Sequence, residues 1–138
     1  MNISDNSREI IIKEINYVLN KMEECSNIEE KLYYFSGVYS MIQRIFNLEY
    51  DSDLVFAHLI LFQTYNLFRQ RLDAIKTKQL LIPLSEEQFN NLTKITKELV
   101  KKIEEKKEID NTLKKFVILS YSTTGNGYYL FQKGLLKI

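Results

Sequence analysis

The sequence predicts an all-α fold, an antiparallel bundle of four long helices with one or two shorter ones. Three observations predict it. Apolar residues recur at three- and four-residue steps along most of the chain. Capping residues stand in front of these runs. Four glycines and one proline leave little punctuation for a β-rich chain of tight turns. The length of 138 residues fits a single domain over residues 1–138, and 45% hydrophobic with 27% charged residues is a globular balance.

The first helix is predicted to start near Asn6, where Asn6-Ser7-Arg8-Glu9 has the form of a capping box, and to end near Glu24. Ile11, Ile15, Val18, Leu19 and Met22 then share one face. Ser26-Asn27-Ile28-Glu29 opens the second helix, with Leu32, Phe35, Val38, Tyr39, Ile42, Ile45 and Phe46 facing inward. Gly37 lies within it and costs about 1 kcal/mol against alanine, which close helix packing would explain. Asp51-Ser52-Asp53 puts acidic groups at the positive end of a third helix, from about Ser52 to Lys76.

Residues Leu54 to Phe68 of that helix are apolar on nearly every side. Their 15 residues fall short of the roughly 20 that a membrane span needs, so the expectation is a buried central helix and no membrane association. Leu81-Ile82-Pro83-Leu84 reads as a break. Ser85-Glu86-Glu87-Gln88 is the clearest capping box and opens a fourth helix to about Lys107, with Phe89, Leu92, Ile95, Thr96, Leu99, Val100 and Ile103 inward. The last segment has two readings. Asp110 caps a helix with Leu113, Phe116, Val117, Ser120 and Tyr121 on one face, or residues 116–131 form a hairpin about Ser122–Gly127 and the fold is α+β. The helical context favours the first, since a lone hairpin is marginal.

The residue inventory excludes several chemistries. Cys25 is the single cysteine, so the sequence offers no intramolecular disulfide and no zinc-binding cysteine cluster. Glu23 and Glu24 beside it would raise its thiol pKa. His58 is the single histidine, and Leu54 and Phe62 flank it at four residues, which suits a core or interface position. With Val at position 55 the Glu-x-x-His pattern of ferritin-like metal sites is missing. Glu49, Asp51 and Asp53 read as helix capping in preference to a cation site. Ser122–Gly127 lacks the Gly-Lys-Ser/Thr of a phosphate-binding loop. No catalytic constellation, cofactor or metal is expected. The N-terminal residues have no basic stretch followed by an apolar run, and the expected location is cytoplasmic.

Two surfaces stand out. Among 17 aromatics, Tyr33, Tyr34, Tyr39 and Tyr50 gather near the junction of helices two and three and cannot all face a core. They form a candidate interface, tyrosine being favoured there. Charge divides unevenly, −5 over residues 1–68 and +6 over residues 69–138. Arg69, Arg71, Lys76, Lys78, Lys94, Lys97 and Lys101 make a candidate nucleic-acid surface. Lys94–Glu98 and Lys101–Glu105 spacing weakens it.

Residues Tyr34-Phe35-Ser36-Gly37-Val38-Tyr39, Arg44 through Asp51 and Ala57-His58-Leu59 resemble a small family of archaeal helical-bundle proteins of the Sulfolobus type. The resemblance implies an antiparallel bundle and no known activity. The helix order is also similar to HEPN domains. Those that cleave RNA carry arginine four to six residues before histidine, where this chain has Ser52, Asp53 and Leu54, so the resemblance implies no nuclease. The functional expectation is a non-enzymatic protein acting through protein–protein contact as a homodimer. The alternative is a nucleic-acid-binding module using the basic C-terminal half.

Overall fold

A computed structural model describes residues 1–79 and 84–135. Six helices follow one another among these residues: α1 (Asp5–Glu24), α2 (Ile28–Leu48), α3 (Ser52–Lys76), α4 (Glu86–Glu104), α5 (Asp110–Tyr121) and α6 (Gly125–Gln132). The described residues hold no strand, so the hairpin reading of 116–131 gives way to α5 and α6. Residues 81–83 of the expected break lie outside the described residues.

Local chemistry sets the starts of five helices, whereas α5 has Ile109 at its N-cap with no side-chain cap, so Asp110 is its first residue and not the expected cap. Ser4, two residues earlier than expected, accepts the Ser7 N–H and caps α1. Asn27 accepts from the Glu29 and Glu30 N–H groups, and Asp51 from those of Asp53 and Leu54. Ser85 and Gln88 form the reciprocal capping box of α4. Thr124 Oγ1 accepts from Gly127 N–H and opens α6. α4 stops at Glu104, short of Lys107, because Lys106 turns left-handed (φ 57°) while Lys107 N–H bonds back to the Lys102 carbonyl.

The first five helices close a ring. α1 packs on α2 and α4, α3 on α2 and α5, and α4 on α5. α2 runs antiparallel to α1, with Gly37 beside Val18 and Arg44 beside Glu14, and to α3, with Tyr39 beside His58 and Glu29 beside Arg69. The inward faces expected for α1 and α4 are all buried, as are Leu32, Phe35, Val38, Ile42 and Ile45 of α2. Phe35 meets Phe116 and Phe68 meets Phe89 across the centre, at 6.3 and 5.3 Å between ring centroids. Gly37 sits where α1 and α2 approach closely, since a Cβ there would lie 3.1 Å from Val18 Cγ2.

Polar ties join the ring at both ends. At one end Glu49 accepts from Ser4 N–H at 2.6 Å and from Ser7 Oγ at 2.6 Å, while Asp51 accepts from Asn2 N–H at 2.8 Å. The acidic cluster thus fastens the start of α1 to the α2–α3 connection. Buried Arg8 donates to the Ile103 carbonyl at 2.8 Å, a cation at the negative end of α4. At the other end, the turn after α5 is a hub. Gln88 Nε2 donates to the Ser122 carbonyl and Oγ, both at 3.2 Å, Ser120 Oγ donates to Thr64 Oγ1 at 2.8 Å, and Arg71 Nε donates to the Thr123 carbonyl.

Two outcomes are expected. A Cβ on Gly127 would fall 1.7 Å from the Tyr121 carbonyl oxygen, so Gly127→Ala forces α6 away from the end of α5. Thermal and denaturant unfolding should record a loss of about 1–3 kcal/mol, typical of overpacking. Hydrogen bonds from Ser7 and Ser4 hold the Glu49 carboxyl below its ordinary value of 4.5, and the Lys76 ammonium does the same for Glu29. A depressed folded-state pKa adds stability that is complete above 4.5 and is lost as pH falls through the folded values. Denaturant titrations from neutral pH into acid should show that loss, and Glu49→Gln should make it shallower.

Candidate interaction face

α3 is one member of the ring, so it has an outward side, and the expected central helix is corrected. Leu54, Ala57, Leu61, Thr64 and Phe68 point into the core. Phe56, Leu59 and Phe62 keep 64%, 58% and 40% of their surfaces exposed. Five helices around one core leave none of them surrounded, whatever its hydrophobicity. The neighbouring α5 adds to this face. Val117 and Tyr121, expected inward, are 40% and 54% exposed, while Leu113, Phe116, Leu119 and Ser120 are buried. A groove of about 440 Å³ runs between the two helices, lined by Phe56, Ile60, Leu113 and Val117 together with Asp53, Asp110 and Lys114.

Residues 54–68 contain no Asp, Glu, Lys or Arg. His58 completes this neutrality. Its ring stacks on Phe62 (5.9 Å, 14°) and meets Phe46 and Tyr39 edge-on at 5.3 and 6.1 Å. Burial among these rings pushes its pKa below the ordinary 6.5. At neutral pH it is therefore uncharged, and four turns of α3 pass without a formal charge. The groups that meet the His58 ring are the aromatic side chains of Tyr39, Phe46 and Phe62.

The four tyrosines do not form one patch. Tyr33 and Tyr34 touch edge-on at 5.5 Å and line a separate groove of about 640 Å³ between α1 and α2, with Tyr17, Gly37 and the Arg44–Glu14 ion pair. Tyr39 is half-buried between α2 and α3 against His58, Phe62 and Tyr65, and burial raises its pKa. Tyr50 is exposed in the connection before α3. Neighbouring positions on α2 point into different seams, which scatters them.

The basic residues also divide. Arg71 is buried. Arg69 and Lys76 of α3 both pair with Glu29 of α2, at 3.3 and 2.6 Å, and Lys78 ends α3 in a left-handed conformation. Lys94, Lys97 and Lys101 share a second surface on α4, around a groove of about 360 Å³ with Lys115 and Glu98. There Lys97 pairs with Glu23, Lys101 with Glu105 and Lys115 with Glu98. The two basic groups lie on helices that are not ring neighbours.

Cys25 is half-buried, and its thiol is raised first by burial and then by Glu30, with Glu24 the least of the contributors. Among the described residues no three His, Cys, Asp or Glu side chains converge to hold a metal ion. No described helix is long and apolar enough to cross a membrane. Comparison with known proteins finds no matching family model, no matching curated protein and no matching solved structure.

Proposed function

We propose that this protein acts without catalysis, through protein–protein contact as a homodimer, and that the outer face of α3 with the shoulder of α5 is the contact. The observation that carries this reading is the charge-free run of residues 54–68, one side of which faces water in the monomer. Charged residues are depleted and aromatics enriched at the centres of protein interfaces. Singly scattered exposed groups such as Leu48 and Leu135 need no such account.

Area supports a second copy as the occupant. Phe56, Leu59, Phe62, Val117 and Tyr121 together expose about 500 Å², taking roughly 200 Å² for a large side chain. A stable interface covers about 800 Å² per partner. Half-exposed Val55 and Ile60 and exposed Gln63 extend the patch toward that size. The α3 part of the face carries no charge and can meet its own copy without like-charge repulsion, while Asp53, Asp110 and Lys114 border it on the α5 side.

The nucleic-acid reading draws on the α4 lysines alone. Their glutamate partners neutralise three of the four cations around that groove, so it stands second.

Light scattering should give about twice the 16.4 kDa chain mass. Leu59→Lys or Phe56→Asp should return the monomer with an unchanged helical circular dichroism spectrum, since both side chains lie outside the core. A wild-type monomer at every concentration contradicts the proposal. Titration with single- and double-stranded oligonucleotides at two salt concentrations should show no binding. Binding that weakens steeply with salt would favour the second reading instead.

A further inference from the structure

We infer that the groove between α1 and α2 is a binding site for a small aromatic anion, whose rings lie against Tyr17, Tyr33 and Tyr34 and whose single negative charge faces Lys13. The site does not depend on the homodimer reading, because α2 stands between this groove and the outer face of α3.

The groove follows from how α1 and α2 pack. Gly37, lacking a Cβ, lets α2 come close to Val18. Ser36 and Ser40, small side chains one helical turn apart, leave the seam between the helices open. Tyr17 borders it from α1, and Tyr33 and Tyr34 border it from α2. Tyr17 and Tyr33 keep 60% and 69% of their surfaces exposed, so the fold itself does not use most of either ring. None of the three phenol hydroxyls is spent on a hydrogen bond among the described residues. The volume of about 640 Å³ falls within the range of small-molecule pockets, and aromatic walls with a few polar groups are their usual lining.

Charge selects the ligand. Lys13, Glu14 and Arg44 are the charged side chains of the lining. Glu14 and Arg44 pair at 2.6 Å and cancel. Lys13 has no ion-pair partner among the described residues, so the groove keeps one net positive charge. Lys21, whose Nζ stands 5.6 Å from the Tyr17 ring, is answered by Glu24 at 3.7 Å. Lys13 and Tyr17 are four residues apart on α1 and share one side of it, about 6 Å from each other. A flat ring system with an acid group attached directly to it spans that distance. Its ring gains an aromatic contact and its charge gains the one unanswered cation.

Titration of the full chain with anilinonaphthalene sulfonate tests the site, with phenylnaphthylamine, the same rings without the sulfonate, as the control. Backbone amide NMR locates the binding and dye fluorescence measures it. The sulfonate should saturate a site whose shifts gather at residues 13–18 and 33–44. Lys13→Glu should weaken it about fivefold, the upper range for an exposed ion pair, and should leave the neutral compound unchanged. Tyr17→Ala should weaken both compounds about fivefold through the lost ring contact. Both side chains are exposed, so the circular dichroism of each variant should match the wild type. Absence of saturable shifts at residues 13–18 and 33–44 would overturn the site, and so would shifts confined to α3 and α5. Sulfonate binding that Lys13→Glu leaves intact would overturn the assignment of the anion to Lys13.

Discussion

A single layer of helices around one core gives every helix two environments. Five helices in a ring can each hide one side, and the other side meets water. For α1 and α4 the sequence matches that demand, with Ile11, Ile15 and Met22 or Leu92, Ile95 and Leu99 inward and charged residues outward. α3 does not match it. Its residues 54–68 are uncharged all round, yet Phe56 and Leu59 stand in water. On the outer side of α3 composition and position in the fold disagree, and the interaction proposal grows from that disagreement.

The fold itself is secured elsewhere. Polar ties at the two ends fix which helices are neighbours, and the aromatic contacts at the centre fill the space between them. Glu49 and Asp51 hold the chain start against the α2–α3 connection, and Arg8 reaches the end of α4. At the opposite end, Ser120, Ser122 and Thr123 collect bonds from α3 and α4. The segment that superficially resembles a phosphate-binding loop is therefore a joint whose first residues, Ser122 and Thr123, are buried. Its small polar residues are spent on neighbouring side chains and on capping α6. With both ends tied through groups far from α3's outer side, that side is free of a structural duty.

Helix order and most boundaries were legible because capping chemistry and apolar spacing are local. α3 spans the expected Ser52–Lys76, and the reciprocal box at Ser85 forms as read. Starts that slipped did so by a residue or two, since adjacent polar residues such as Ser4 and Asn6, or Ser26 and Asn27, compete for the same role. What was illegible is long-range. A helix apolar on all sides has no periodicity to separate inside from outside, so its sequence alone points to a central position. Val117 and Tyr121 share a spacing with Leu113, yet only the placement of α3 decides which of them is covered. Arg71 looks like a surface cation until Thr123, fifty-two residues away, supplies its buried acceptor. The tyrosines cluster along the sequence, but successive α2 residues open onto different seams.

The direct test of the central claim is whether water reaches Leu59. Methyl NMR with a soluble paramagnetic relaxation agent reads that exposure, with Leu135, 71% exposed at the far end of the chain, as the reference. The account expects the Leu59 methyls to be strongly shielded at high protein concentration and to become accessible on dilution, while Leu135 stays accessible throughout. Leu59 methyls relaxing like those of Leu135 at every concentration would contradict it.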